Sequence, residues 1–355
     1  MTPGLPVDRS ATACDAGVAW RPVVAAHGFS WRKRALVRDF AGRPDVRFVS
    51  RGADVPEGAD LLLWGSAAVP VGMPGDVRVV RLEDGFLRSV GLGADLIRPV
   101  SWVVDTLGIY YDARTPNDLE SLLQTASISP SLVERAKAFR QQVVQSGLSK
   151  YNLSGALWQR PDVRGQVVLV VGQVESDASI ATGALDVRTN MALLQTVRQT
   201  RPDAWVVYKP HPDVVAGLRR SGAREDRAGQ WADEVLTQGS PAQLFPLVDE
   251  VHVMTSLTGF EALLRHKAVF CYGQPFYAGW GLTQDIHPHP RRTRRLTLDE
   301  LVAGALLLYP VYVGGQSRRR CTPEQALLEL VAWRGQTQGQ LPWWRRLLRP
   351  LLARP

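Results

Sequence analysis

A chain of 355 residues suits two domains, and its content of 45% hydrophobic and 21% charged residues is ordinary for a soluble globular protein. No apolar run approaches the roughly 20 residues of a membrane span and no signal peptide is visible, so we expect a cytoplasmic protein. The net charge of +8 comes with scattered arginines and no nucleic-acid-binding signature, which favours anionic sugars, nucleotides or a membrane surface as partners and argues against nucleic acid.

The first part of the chain alternates apolar runs with helical segments, a pattern that predicts a parallel sheet with crossover helices. Residues 1–20 are rich in Pro, Ala and Gly and are expected to form a disordered tail. We expect a first Rossmann-like domain over residues 21–160. Its strands are predicted at 22–26, 46–49, 61–65 and 77–82, and its helical region at 115–147.

A second α/β unit follows a connection near residues 148–153. We expect a Rossmann-like domain over residues 161–335, so that the chain is an α/β protein of GT-B-like architecture with two Rossmann-type domains facing across a cleft. Residues 336–355 form a basic, aromatic tail that either lies on an anionic membrane surface or docks as a terminal helix. In the second domain, strands are predicted at 167–172, 205–208, 251–254 and 268–272, and a helix at 190–200.

Two segments at predicted strand ends form a candidate phosphate site. In the first, Lys209 and His211 can neutralise a phosphate, although a histidine between two prolines is also typical of a structured turn. In the second, Thr255–Glu261, a helix start offers hydroxyl and backbone N–H groups to an anion. The candidate phosphate contacts there are Ser256, Thr258 and Gly259, and the candidate ribose contact is Glu261. Ordinary N-capping, with Glu261 and Thr258 in a capping box, is the alternative interpretation.

Glu83 and Asp84 follow a predicted strand directly. Carboxylates at that position are costly unless they are solvated, paired or used in chemistry. They are candidates for the general base that deprotonates an acceptor hydroxyl. Alternatively, Asp84 caps the next helix and pairs with Arg88.

Asp177 occupies the corresponding place in the second unit. It is either a helix N-cap or a carboxylate nucleophile for glycosyl transfer with retention. Its neighbours Gln173 and Glu175 are candidate substrate contacts, and the role of Glu175 stays open. The aromatic, glycine-rich loop 272–283 is typical either of a platform for sugars or bases or of a structural turn. Because the strand ends lack an Asp-X-Asp motif and the three cysteines lack ligand spacing, we predict no metal and no cofactor.

Together these segments resemble the capsule polysaccharide biosynthesis family, which includes KpsC, the retaining β-Kdo glycosyltransferase of bacterial capsule assembly. Kdo is a sugar of the ulosonic acid class. The matches follow the order of the family and cover roughly residues 22–330. The matching segments are Arg81–Ser89, Ser101–Asp112, Leu148–Leu153, Gln173–Ser179, Lys209–Asp213, Thr255–Leu264 and Gly273–Thr283.

The resemblance implies CMP-β-Kdo as donor and transfer with retention onto a lipid-linked Kdo acceptor, with capsule assembly proteins and the inner-membrane surface as further contacts. It implies that Asp177 is the nucleophile and that His211 contacts the CMP phosphate, as in bacterial sialyltransferases. Glu83 and Asp84 resemble the acidic pair that faces the acceptor, which makes the first domain the acceptor side. A basic residue such as Arg88 is expected to bind the Kdo carboxylate. The implied phosphate and ribose contacts are Ser256, Thr258 and Glu261.

The chain departs from the family pattern in one respect, since KpsC carries two catalytic modules and this chain has one. A single module predicts a single linkage type. A role comparable to that of KpsS, a related single-module protein that starts the Kdo linker on the lipid, is one option. Two other functions stay open: another CMP- or UDP-sugar transferase, such as a sialyltransferase-like enzyme, and a non-catalytic partner in capsule assembly or export.

Overall fold

The computed structural model describes residues 19–87, 98–147 and 158–337, which form two α/β units, each built on a six-stranded sheet. The strands and helices of the first half are β1 (Val24–His27), α1 (Trp31–Ala41), β2 (Arg47–Val49), β3 (Asp60–Trp64), β4 (Arg78–Asp84), β5 (Ser101–Asp105), α2 (Asp118–Thr125) and α3 (Pro130–Gln145). The second half begins with β6 (Val167–Val171), α4 (Ala178–Gly183), α5 (Asn190–Thr200), β7 (Trp205–Lys209), α6 (Pro212–Val215), β8 (Glu234–Val235) and α7 (Pro241–Leu244).

The remaining elements complete the second sheet and then return to the first. They are β9 (Glu250–Val253), α8 (Leu257–Leu263), β10 (Ala268–Cys271), β11 (Gln284–Asp285), α9 (Leu298–Val302), β12 (Pro310–Tyr312) and α10 (Pro323–Thr337). A π-helical turn over Ala303–Leu308 continues α9 towards β12.

The second sheet is parallel throughout and determines where its loops emerge. Its order is β11–β10–β9–β6–β7–β8. All five residues of β6 are buried, as expected for a parallel strand covered on both faces. The register pairs Val171 with Lys209, and Val170 with His252, so that β6, β7 and β9 end at the same edge. The loops that follow these three strands therefore leave the sheet side by side.

The first sheet is mixed, which differs from the predicted parallel sheet. Its order is β12–β5–β4–β3–β1–β2, in which β1 to β4 are parallel, while β5 is antiparallel to both β4 and β12. β12 belongs to this sheet, although the sequence places it in a second domain over residues 161–335. This pairing of β12 with β5 crosses the predicted division of the chain, and the predicted domain bounds stay predictions. An apolar run reveals that a strand exists, but it does not encode the direction of the strand or the sheet that it joins.

Both units share one apolar core, and the last helix of the chain packs back against the first unit. A single buried cluster contains Val103 of β5, Phe139 of α3 and Leu169 of β6. Glu324 of α10 pairs with Arg135 of α3 at 2.8 Å. The two units are therefore packed against each other, and the last helix is attached to the first half of the chain.

Some predicted segments fall outside the described residues. The connection near 148–153, residues 1–18 of the predicted N-terminal tail and residues 338–355 of the C-terminal tail are in this group. Their predicted roles stay predictions. Among the helices that the structure describes, none combines the length and apolar character needed to cross a bilayer.

Candidate active site

A cavity of about 460 Å³ lies between the two units, at the edges where β4, β6, β7 and β9 end. This volume is typical of a site for a small molecule. The first unit contributes Trp64, Glu83, Asp84, Tyr110 and Tyr111 to its walls. The second unit contributes Gln173, Asp177, Lys209, His211, Arg219, Ser256, Thr258, Glu261 and Phe276, among others.

Asp177 occupies the N-cap position of α4, but its side chain makes no capping hydrogen bond. Its backbone carbonyl accepts from the N–H groups of Ile180 and Ala181, which begins the helix. The carboxylate Oδ1 instead accepts a hydrogen bond from Nη2 of Arg219 at 2.7 Å, and the two side chains are 39% and 44% exposed. Capping therefore explains the backbone of Asp177 and leaves its carboxylate in the cavity.

Lys209 is the last residue of β7, His211 follows two residues later, and both line the cavity. Nδ1 of His211 accepts a hydrogen bond from the N–H of Asp213 at 3.2 Å. Because Nδ1 is the acceptor, the ring proton is assigned to Nε2, which makes that nitrogen a donor suited to a phosphate oxygen. Lys209 is buried and its Nζ donates to the carbonyl of Leu236 at 3.0 Å. Burial lowers the pKa of Lys209 to about 8.

The start of α8 contributes Ser256, Thr258 and Glu261 to the cavity. Ser256 is the N-cap, and its Oγ accepts from the N–H of Thr258 at 3.2 Å. Thr258 is therefore already inside the helix, which rules out the predicted capping box between Thr258 and Glu261. Glu261 instead lies one turn into the helix with its side chain at the cavity wall, where the sequence predicts a ribose contact.

Gly259 does not line the cavity, although the sequence predicts it as a phosphate contact. Its N–H donates to the carbonyl of Ser256 at 3.1 Å. A Cβ at this position would lie 2.2 Å from the hydroxyl oxygen of Tyr277, whose hydroxyl donates to the same Ser256 carbonyl. The predicted phosphate contact of Gly259 stays a prediction, and close packing against Tyr277 gives a separate reason for glycine at this position.

Gln173 and Glu175 hold neighbouring segments in place. Oε1 of Gln173 accepts from the N–H of Thr255 at 2.8 Å, and its Nε2 donates to Oγ1 of Thr255 at 3.0 Å, which ties the ends of β6 and β9 together. Gln173 also reaches the cavity wall. Glu175 accepts from the N–H groups of Asn190 at 2.8 Å and Ala223 at 3.1 Å. Both carboxylate oxygens of Glu175 therefore accept hydrogen bonds from backbone N–H groups, and its predicted substrate contact stays a prediction.

Glu83 and Asp84 are the last two residues of β4, and both line the cavity across from Asp177. Oε1 of Glu83 accepts from the N–H of Asp84 at 2.9 Å. Burial raises the pKa of Tyr111, and the negative charge of Glu83 adds to this effect, so the phenol beside the acidic pair stays protonated at neutral pH. Arg88, the predicted partner of Asp84, lies outside the described residues.

Arg219 and Trp64 are among the cavity residues that are not predicted from the sequence. Arg219, which pairs with Asp177, belongs to an arginine-rich stretch without a recognisable motif. Trp64 is the last residue of β3, and the ammonium group of Lys33 lies 3.8 Å from the centre of its ring. The only sequence signal for a role of Trp64 in the site is its position near a strand end.

In the described part of the chain, no three His, Cys, Asp or Glu side chains are arranged to hold a metal ion.

The aromatic loop 272–283 is mainly structural. Phe276 stacks on Phe86 of the first unit with ring centres 4.2 Å apart, and the fully buried Trp280 donates from its indole nitrogen to the carbonyl of Phe276. Pro275 and Phe276 also form part of the cavity wall. The loop therefore joins the two units and supplies one apolar side of the site.

Two α/β units that enclose a shared cavity at their strand ends define a protein of the GT-B-like class. The family model described as "Capsule polysaccharide biosynthesis protein" matches residues 66–161 and 157–314. The chain belongs to the capsule polysaccharide biosynthesis family, which confirms the predicted family and fold class.

Several known proteins are similar to this chain. The capsule polysaccharide modification protein LipA of Neisseria meningitidis is 42% identical over 314 residues, which are 86% of this chain and 45% of LipA. The chain thus spans about half the length of that relative. The lipopolysaccharide-processing protein LpsZ of Rhizobium meliloti is 41% identical over 320 residues, 88% of this chain and 72% of LpsZ.

Two solved structures from Thermosulfurimonas dismutans KpsC have the same fold. The β-Kdo 2,7 transferase is 39% identical with a TM-score of 0.75, and the match covers 88% of this chain and 99% of that chain. The β-Kdo 2,4 transferase is 31% identical with a TM-score of 0.76, and the match covers 87% and 98%.

Proposed function

We propose that this chain is a retaining β-Kdo glycosyltransferase of capsule biosynthesis, which transfers Kdo from CMP-β-Kdo to a lipid-linked Kdo acceptor. Its family, and its similarity to two Kdo transferases over nearly their whole length, support glycosyl transfer. One observation carries the proposed mechanism. The Asp177 carboxylate makes no capping bond and lies in the cavity between the units, across from the carboxylates of Glu83 and Asp84. This arrangement suits covalent catalysis followed by general-base catalysis.

In the first displacement, a carboxylate oxygen of Asp177 bonds to the anomeric carbon of Kdo while the bond from that carbon to the phosphate oxygen breaks. The electron pair leaves with CMP. Lys209 and the Nε2–H of His211 stabilise the departing phosphate, together with the start of α8 at Ser256. Glu261 accepts hydrogen bonds from the ribose hydroxyls.

In the second displacement, an acceptor hydroxyl attacks the anomeric carbon and the bond to Asp177 breaks. The proton of the hydroxyl passes to Glu83 or Asp84, which face Asp177 from the first unit. Two inversions at the same carbon give net retention.

The proposal is tested by incubating the protein with CMP-Kdo and a synthetic Kdo-terminated acceptor, followed by NMR of the product. We expect release of CMP and a β-linked Kdo, and the 2,7 linkage is the first to look for because identity is higher to the 2,7 transferase. CMP-sialate and UDP-sugars are assayed in parallel. Turnover of one of these donors without turnover of CMP-Kdo would contradict the proposed donor.

Replacing the nucleophile tests the covalent step. Asp177→Asn should lower transfer at least about 1000-fold, because the carboxylate forms the bond to Kdo. Wild-type protein mixed with CMP-Kdo alone should gain the mass of one Kdo residue, and the variant should not. Asp186→Asn is a matched control. Asp186 is an exposed acid shortly after the same helix, and its carboxylate lies 3.2 Å from Nε2 of His287. Near-native transfer by Asp177→Asn would contradict the double displacement.

A further inference from the structure

The ion pair between Arg219 and Asp177 places a guanidinium directly beside the proposed nucleophile. Nη2 of Arg219 lies 2.7 Å from Oδ1 of Asp177 and 3.4 Å from Oγ of Ser176. The arginine is 44% exposed and lines the cavity. An exposed ion pair of this kind contributes little to folding, so stability does not explain why an arginine is held at this place.

The loop that carries Arg219 is held at both ends. The carbonyl of Asp213 accepts from the N–H groups of Leu218 and Arg219 at 2.8 and 3.1 Å. On the other side, Glu175 accepts from the N–H of Ala223 at 3.1 Å, and a Cβ at Gly222 would lie 2.4 Å from the Glu175 carboxylate. A side chain at Gly222 would therefore displace the Glu175 carboxylate, and these contacts hold the loop that carries Arg219.

Substrate chemistry supplies a reason for a cation here, if the proposed function holds. In an ulosonic acid such as Kdo, the anomeric carbon itself bears a carboxylate. A nucleophilic carboxylate that approaches this carbon must come within a few ångströms of the carboxylate of the substrate, and two like charges at that separation repel each other strongly. A guanidinium between them removes the repulsion and can bind the substrate carboxylate through two parallel hydrogen bonds.

We propose that Arg219 binds the anomeric carboxylate of the donor and thereby selects ulosonic acid donors. In this structure, Arg219 pairs with Asp177. When the donor binds, its carboxylate takes the guanidinium, which leaves Asp177 with one hydrogen bond fewer and hence a better nucleophile. A donor without this carboxylate would leave the nucleophile paired. Glu175 acts as a positioning residue, because its hydrogen bond with the N–H of Ala223 holds the loop that carries Arg219.

The proposal rests on the proposed function, but its test needs no turnover. Binding of CMP-Kdo and of CMP is measured by calorimetry in protein that carries Asp177→Asn, with and without Arg219→Met. We expect Arg219→Met to weaken binding of CMP-Kdo about 10- to 100-fold, as for the loss of a charged hydrogen-bonded contact, and to leave binding of CMP within about twofold. Arg220→Met is the matched control, since Arg220 is exposed and adjacent but is not among the cavity residues.

The outcomes separate the two proposals. Equal weakening of CMP and CMP-Kdo by Arg219→Met, no weakening of either, or a selective loss in Arg88→Met instead would overturn the role of Arg219. Selective loss of CMP-Kdo binding in Arg219→Met, combined with wild-type protein that transfers no Kdo, would support the role of Arg219 and contradict the proposed function. Glu175→Gln should raise KM for CMP-Kdo and leave the affinity for CMP unchanged.

Discussion

Lys209 is a residue whose charge depends on its burial. Its pKa is lowered to about 8, so the amine loses its proton as the pH rises through that value. A phosphate bound nearby favours the charged form, which couples binding of CMP to proton uptake. We expect the affinity for CMP to fall by up to about tenfold per pH unit above about pH 8, measured by calorimetry.

Lys209→Met should bind CMP weakly at neutral pH and lose this pH dependence, because His211 and α8 remain but the titrating amine is gone. Lys267→Met is the control. Lys267 also donates to a backbone carbonyl, that of Val248 at 2.9 Å, but it is not among the residues that line the cavity. A wild-type affinity that stays constant from neutral pH to about pH 10 would contradict phosphate binding by Lys209.

Glu83→Gln and Asp84→Asn separate the two displacements. Because the general base acts only in the second one, each variant should still release one equivalent of CMP as the Kdo adduct forms. Transfer to the acceptor should fall about 100- to 10,000-fold in the variant that loses the base. A rapid-quench measurement of CMP and of product in a single turnover distinguishes these steps. Loss of the CMP burst in both variants would argue against this assignment.

The sequence predicts those site residues whose position in the fold follows from the residues just before them in the chain. Asp177 lies about six residues after the end of β6 and His211 two residues after the end of β7, so their place near the sheet edge is visible from the apolar runs before them. Arg219 is different, because it lies ten residues after β7 and its contact with Asp177 depends on the path of the loop between them. The bond from the N–H of Ala223 to Glu175 likewise joins segments 48 residues apart, which no local pattern encodes.

At the scale of elements, the N-terminus of α8 depends on glycine at position 259. Gly259→Ala would bring a Cβ to 2.2 Å from the Tyr277 hydroxyl, and Tyr277 is fully buried and cannot move away easily. We expect a loss of about 1–3 kcal/mol in the free energy of unfolding, as for other overpacked positions. Binding of CMP should weaken as well, because Ser256 and Thr258 lie on the same turn.

Tyr277→Phe is the second mutation of a double-mutant cycle with Gly259→Ala. Removing the hydroxyl should partly rescue Gly259→Ala, and denaturant unfolding of both single variants and the double variant measures the coupling. Gly229→Ala is the control, since a Cβ there meets no atom within 4 Å, and its effect should stay within about 0.5 kcal/mol. Strictly additive effects of the two changes would mean that the close approach to Tyr277 does not explain this glycine.

The sequence also predicts most elements of the second sheet, because parallel strands buried on both faces form continuous apolar runs. The strands β6, β7, β9 and β10 and the helix α5 lie within a residue or two of their predicted positions. The sequence predicts neither the two-residue strands β8 and β11 of this sheet nor β5 and β12 of the first sheet. β12 has only three residues inside a long apolar stretch that also contains a π-helical turn, so length and periodicity give no boundary there.

At the scale of the whole molecule, the two units are held together by a buried charge cluster as well as by the shared core. Glu120 of α2 is 6% exposed and accepts from Nε of Arg291 at 2.5 Å and from Nε of Arg292 at 3.1 Å. Arg292 also donates to the carbonyls of Pro275 and Ala278 in the aromatic loop. Glu120 in the first unit thus fixes the loop of the second unit that forms one wall of the cavity.

Glu120→Gln should therefore affect both stability and the site. The variant leaves Arg292 buried without its counter-charge, which should lower the free energy of unfolding by about 3–5 kcal/mol at neutral pH. Burial alone would raise the pKa of Glu120, but the hydrogen bond from Arg291 and the charge of Arg292 lower it overall. Its stabilising effect is thus present above the unfolded pKa and is lost as the pH falls through the lower folded value. The difference between wild type and variant should shrink over that acidic range, as chemical denaturation at a series of pH values would show.

Glu134→Gln is the control for this change, because Glu134 is 73% exposed and its nearest cation, Lys137, lies 3.9 Å away. Such a pair should contribute at most about 0.5 kcal/mol. If the Glu120 cluster joins the units, Glu120→Gln should also broaden the thermal transition or divide it into two, whereas Glu134→Gln should leave one sharp transition. A single sharp transition in Glu120→Gln, with the stability of wild type at neutral pH, would mean that the shared apolar core alone couples the two units.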